Sequence, residues 1–225
     1  MIPWVQIDKV TVPGAKVELR LMRRGTDFSM MLGTNELMNS RLSGSEEALA
    51  TLTCRRIEKI TSPHLLIGGL GMGFTLRAAL AVLGPKARIV VAELVPAVIA
   101  WARGPMAEIF AGCLDDPRVR IVAEDVASLI WSADAFHDAI LLDVDNGPDG
   151  LSRASNGRLY SANGLAAARR ALRPGGILAI WSAAPDRGFT RRLGEAGFAV
   201  EEVVARGRAG GRGARHVIWL ATKPA

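Results

Sequence analysis

The sequence predicts an α/β fold: a mainly parallel sheet with helices on both faces, closing in an antiparallel hairpin and preceded by a small N-terminal β region. Three observations predict it. An apolar run at 65–68 opens into Gly69, Gly71 and Gly73, and a helix-like stretch follows. A second apolar run then ends in an acid, Glu93, about twenty residues beyond the glycines, which is the layout of a nucleotide-binding βαβ unit. From Leu65 onward, strand-length and helix-period stretches alternate, while the last two apolar runs are joined only by a loop.

Each element has its own signal. Residues 10–12, 16–22 and 28–32 read as short strands separated by turns at Pro13-Gly14 and 24–27; Val17, Leu19 and Leu21 alternate with charged residues. Ser43 and Glu46 fit a capping box for a helix running to about Ile60, which Thr61-Ser62-Pro63 stops. These residues, 1–60, form an N-terminal β unit with a linking helix, and 61–225 form the larger domain. Strand 65–68 leads into a helix with Leu76, Ala79, Leu80 and Leu83 on one face, ended by Gly84-Pro85. Strand 88–93 precedes a helix opened by Pro96, a favoured first-turn residue. Strand 119–123, helix 126–131 and strand 139–143 follow. A helix over 161–173, closed by Pro174-Gly175-Gly176, precedes strand 177–181. Helix 189–196 comes before the hairpin of 198–205 and 216–222.

Composition narrows the function classes. The 225 residues are 49% hydrophobic and 22% charged, ordinary for a packed globular chain. No run approaches the roughly 20 apolar residues of a membrane span. Met1-Ile2-Pro3-Trp4 lacks the basic-then-apolar order of a secretory signal, so a cytoplasmic location is expected. Cys54 and Cys113 have no metal-type spacing and read as buried, reduced thiols, and no metal site is expected. The net charge of +6 permits an anionic or nucleic-acid partner. Arg206, Arg208, Arg212 and Arg215 lie among glycines with no aromatic residue between them, which favours a solvated loop over a base-stacking surface. His64, His137 and His216 are single and are assigned no chemistry.

The glycine spacing excludes two sites. A dinucleotide fingerprint needs Gly or Ala where Phe74 or Leu76 stands, and no Gly-Lys-Ser/Thr follows for a phosphate loop. The G-x-G-x-G form at Gly69, Gly71 and Gly73 resembles class I methyltransferase-fold proteins, which bind S-adenosylmethionine or its relatives. More of the chain resembles the spermidine synthase family within that fold. Residues 68–77 resemble its Gly-Gly-Gly-Asp-Gly-Gly-Thr-Leu-Arg stretch, and 91–99 its Val-Glu-Ile-Asp-Pro-Ala-Val-Ile. Residues 141–148 fall at its Asp-Ser-Ser-Asp-Pro-x-Gly-Pro, and Leu172-Arg173-Pro174-Gly175-Gly176 matches a segment common across the fold.

The resemblance implies a Rossmann-like, seven-stranded methyltransferase fold with a C-terminal antiparallel hairpin. It implies a cofactor site of Gly69, Gly71, Met72, Gly73, Glu93, Leu94, Asp125, Val126 and Asp143. Glu93 would bind the ribose hydroxyls. Asp125 would accept from the adenine amino group, although an aspartate capping the next helix looks the same, and Glu124 competes for the role. Asp143 would lie beside the sulfonium, at the carboxyl edge where open α/β sheets bind ligands. Three departures stand out. Met72 replaces the family's acid facing the amine of decarboxylated S-adenosylmethionine. Asn146 falls at its second aspartate, with Asp145 one place away. The aromatic of its Tyr-His/Gln-Glu segment is absent from Gly44-Ser45-Glu46-Glu47, and the one tyrosine is Tyr160.

These departures favour intact S-adenosylmethionine and methyl transfer to a small acceptor, with Asp143 and then Asp145 as base or positioning group. The alternative is an aminopropyltransferase using decarboxylated S-adenosylmethionine. A third reading is a non-catalytic nucleic-acid-binding module. Trp181 lines an acceptor pocket or, as the favoured reading, packs in the core. A homodimer through the N-terminal sheet is expected.

Overall fold

The computed structural model describes residues 2–144, 156–208 and 212–225. An N-terminal antiparallel sheet contains β1 (Val5–Thr11), β2 (Glu18–Arg24), β3 (Asp27–Leu32) and β4 (Asn35–Asn39), in that order. Alternation in β2 buries Leu19 and Leu21, as the pattern predicts. The fourth strand is an addition to the expected three. Gly33, at φ 58°, turns the chain so tightly that Leu32 pairs with Asn35.

Helix α1 (Gly44–Ile57) begins where expected, but the capping box does not form. Ser43 makes no side-chain cap bond, and the Glu46 carboxylate accepts instead from Ser45 Oγ at 2.7 Å. The helix also ends at Ile57, three residues early.

The second sheet has seven strands: β5 (His64–Gly68), β6 (Arg88–Ala92), β7 (Val119–Val122), β8 (His137–Leu142), β9 (Leu172–Ser182), β10 (Ala199–Arg208) and β11 (Arg212–Thr222). Their order is β10-β11-β9-β8-β5-β6-β7. The five from β5 to β9 are mutually parallel, while β11 runs antiparallel to both β9 and β10. Between strands lie α2 (Phe74–Val82), α3 (Pro96–Arg103), α4 (Ala107–Phe110), a 3-10 turn (Cys113–Asp115), α5 (Val126–Ser132), α6 (Asn156–Leu159), α7 (Ala162–Ala171) and α8 (Arg187–Glu195).

Both faces of this sheet are buried, which explains strands that read as continuous apolar runs. Leu65, Ile67, Ala139, Leu141, Ile177 and Ala179 face one core with α1, α2, α3 and the N-terminal sheet. Leu66, Ile140, Leu142, Leu178 and Ile180 face the other, with α5, α7 and α8. Each such aliphatic side chain contributes about 1.5–3 kcal/mol by leaving water. Trp219, fully buried, donates Nε1–H to Thr190 Oγ1 at 2.8 Å and packs edge-on against Phe189.

Two boundaries differ from expectation. Helix α7 stops at Ala171, and residues 173–176 bulge within β9, whose pairing with β8 jumps from His137–Leu172 to Ala139–Ile177. The bulge is tied to the C-terminal segment by Gly175 N–H to the Lys223 carbonyl and Lys223 N–H to the Gly176 carbonyl. The arginine–glycine stretch is mostly strand: Arg206 pairs with Arg215 and Arg208 with Arg212. No helix among the described residues is long and apolar enough to cross a membrane.

Candidate functional site

The carboxyl ends of β5, β6 and β8 open on a cleft of about 150 Å³ that is continuous with solvent. The N-terminal sheet roofs it with Leu19, Met30, Leu37 and Met38. The floor is the loop after β5, where Gly69 has φ 91° and donates to the Ala92 carbonyl at 2.8 Å. A Cβ on Gly69 would collide with the Asp143 carbonyl, so glycine is what lets the β5 and β8 ends approach each other.

Glu93 follows β6 and is 8% exposed. Its Oε2 accepts from Leu70 N–H at 3.0 Å and its Oε1 from Val95 N–H at 2.8 Å, so it ties the glycine loop to the loop before α3. Burial pushes its carboxyl above the usual range, while the backbone N–H groups of Val95 and Leu70 oppose the rise. Asp125 caps α5, accepting from Ala127 N–H at 2.9 Å, and lines the cleft beside Glu124 and Val126.

Asp143 stands just past β8. Its Oδ2 accepts from Thr75 Oγ1 at 2.6 Å, and the same hydroxyl lies 3.4 Å from the Glu46 carbonyl. Thr75 therefore joins the start of α1 to Asp143. Surroundings that exclude water raise the Asp143 carboxyl to about 7, the Glu46 charge adds to the rise, and the Thr75 hydrogen bond opposes it. Glu46 is likewise raised, by burial first. Glu93, Glu124, Asp125 and Asp143 line the cleft, and no Lys, Arg or His stands with them among the described lining residues. An acidic cleft in a chain of net charge +6 is a local feature, not a reflection of composition.

Comparison with known proteins adds a second line of observation. No protein-family model matches the chain. Over 124 residues, 54% of the chain, it is 40% identical to the polyamine aminopropyltransferase of Mycobacterium tuberculosis H37Rv. Over 130 residues it is 34% identical to polyamine aminopropyltransferase 1 of Streptomyces coelicolor. The matched segments span 23% and 24% of those proteins, so the chain corresponds to about a quarter of each. The spermidine synthase of Thermotoga maritima superposes with a TM-score of 0.76 over 97% of the chain and 72% of its own, at 20% identity. A spermidine synthase bound to the transition-state analogue AdoDATO gives 0.74 over the same shares, at 19% identity. The fold is that of the spermidine synthases. The cleft lies at the carboxyl edge of β5.

Of the expected site residues, Gly69, Gly71, Glu93, Leu94, Asp125, Val126 and Asp143 line the cleft. Met72 and Gly73 do not. Met72 is 1% exposed and packs in the core, because burial favours a thioether where a carboxylate would be driven to the cleft. Gly73 caps α2 at φ 77° and backs onto the Phe110 ring. Asp145 and Asn146 lie outside the described residues. Trp181 does not line the cleft; it packs on His216, centroids 4.9 Å apart. Thr75 and His216 were assigned nothing from sequence, and Glu46 was read first as a cap. The one signal for Glu46 is its place at the Glu of the Tyr-His/Gln-Glu segment.

Proposed function

We propose that the chain is an aminopropyltransferase of the polyamine class, using decarboxylated S-adenosylmethionine and a small amine acceptor. The observation that carries this reading is the cleft lined, among the described residues, by four acids and no base. Charges withdrawn from water need partners, and a polycationic ligand supplies them. Decarboxylated S-adenosylmethionine bears a sulfonium and an amine without a carboxylate; a diamine acceptor is cationic too. The names of the relatives support the same class. The expectation of methyl transfer rested on three departures together; of these, Met72 is buried and does not line the cleft, and Asn146 lies outside the described residues. Intact S-adenosylmethionine would bring its carboxylate into an acidic site, where like charges are costly.

In this reading Glu93 and Asp125 hold the nucleoside, and Asp143 with Glu46 holds the cationic end. The sulfonium supplies the leaving group. Asp143, raised to about 7, takes the proton that an acceptor ammonium must lose before its nitrogen attacks. The bond from carbon to sulfur breaks as the new bond from carbon to nitrogen forms. The remaining work is alignment within a closed cleft. The Met38 thioether, close above Gly71, forms part of that closure.

Calorimetric titration with decarboxylated and with intact S-adenosylmethionine tests the reading. The decarboxylated form is expected to bind at least about tenfold more tightly, and to yield product when putrescine is added. Tighter binding of the intact form would restore methyl transfer. Binding of neither would remove the enzymatic reading.

A further inference from the structure

His216 is half-buried on β11, whose first residues rise at the same sheet edge as the ends of β8 and β9, because β11 runs antiparallel to β9. Its Nδ1 lies 2.8 Å from Ser45 Oγ. Ser45 is fully buried, and its hydroxyl donates to Glu46 Oε2 at 2.7 Å. A hydroxyl has one proton; donating it to the carboxylate leaves the Ser45 oxygen to accept from Nδ1–H of the imidazole. Trp181 packs against the other side of the ring, tilted by 55°, and restricts its orientation. The chain of contacts therefore runs from the C-terminal hairpin through Ser45 to the Glu46 carboxylate, whose charge is felt at the cleft-lining Asp143; the Glu46 backbone carbonyl also lies 3.4 Å from the Thr75 hydroxyl that donates to Asp143.

We propose that His216 is a positioning residue for the acidic end: through Ser45 it fixes the Glu46 carboxylate in the orientation that, with Asp143, receives the amine of the aminopropyl donor. The proposal rests on the aminopropyltransferase reading. Glu46 thereby takes up the charge that the family keeps in its glycine stretch and that this chain lacks at Met72. The imidazole itself stays outside the cleft and takes no part in bond making. A carboxylate held by one hydroxyl in the first turn of α1 would otherwise sample several rotamers, and binding an amine would then include the loss of that freedom.

The test compares two probes on the same variants. 5′-Methylthioadenosine has the nucleoside and thioether without the amine tail; decarboxylated S-adenosylmethionine has both. His216→Ala and Ser45→Ala are each expected to weaken the amine-bearing probe about tenfold and to leave methylthioadenosine unchanged. The double variant should lose no more than either alone, because both cut one link. His216→Asn, whose side-chain amide can donate to Ser45, should recover most of the loss. Equal weakening of both probes, additive losses, or no weakening would each overturn the positioning role. If the unmodified protein shows no preference for the amine-bearing probe, the aminopropyltransferase reading itself falls, which the variants alone cannot produce.

Discussion

Asp143 is the residue at which stability and chemistry pull in opposite directions. Its carboxyl is raised to about 7 by burial and by Glu46, against an ordinary unfolded value near 3.8. The folded state thus holds more protons than the unfolded state between about pH 4 and pH 7. Stability is complete below pH 4 and falls as pH rises through 7. Asp143→Asn mimics the protonated acid. It should match the parent protein at pH 4 and exceed it at pH 8, by on the order of 2–4 kcal/mol, in urea denaturation at the two pH values. Part of the slope will persist, since Glu46 and Glu93 are raised in the same direction. The same variant should lose transfer activity, the trade common to sites that keep desolvated charge. A stability gain equal at both pH values would show that Asp143 is charged without penalty. At this scale, the sequence pointed to Glu93, Asp125 and Asp143 because acids at strand ends have few structural explanations. It assigned His216 nothing because that residue has no local signal: its partner Ser45 is 171 residues away.

Among elements, the turn between β5 and α2 sets the cleft floor. Gly73 has φ 77°, and a Cβ there would meet the Phe110 ring at 2.5 Å; that ring is 1% exposed and has nowhere to go. Gly73→Ala should destabilise the protein by about 2–4 kcal/mol, adding backbone strain to overpacking. Chemical denaturation measures this, and a loss below about 1 kcal/mol would mean that α4 yields easily. The parallel strands and their helices were legible because their periodicity is local. Helix ends were less so. The Pro174-Gly175-Gly176 segment signals a stop, but whether the stop lies in helix or strand depends on Lys223, which bonds it from the far end of the chain. Strand β4 went unread because Asn35–Asn39 has little β-propensity and forms by pairing with β3.

For the whole molecule, one apolar core runs from Leu21 and Met30 of the N-terminal sheet through Leu49 of α1 to Ile67 and Leu141 of the large sheet. Two sheets that share a core should unfold together. Calorimetry is expected to give a single transition, and decarboxylated S-adenosylmethionine at 100 times its Kd should add about 2.7 kcal/mol. For a chain of this size that raises Tm by roughly 5–10 °C. A separate early transition, unmoved by ligand, would assign the N-terminal sheet its own stability and leave the cleft roof detachable. The hairpin of β10 and β11 belongs to the same scale. It delivers His216 to α1, where the ring meets Ser45, and pairs Arg206 with Arg215 near the end where its strands join.

The sequence by itself determined the α/β class, the strand-by-strand order from Leu65, the glycine floor and the acids Glu93 and Asp125 that line the cleft. Those features depend on neighbours within one βαβ unit, and local periodicity reports them. Only the tertiary structure decided that Met72 turns into the core, that Glu46 abandons its cap for Ser45, and that His216 reaches the acidic end. Those outcomes depend on which desolvated groups find partners across the fold, and burial and charge pairing are settled between elements distant in the chain.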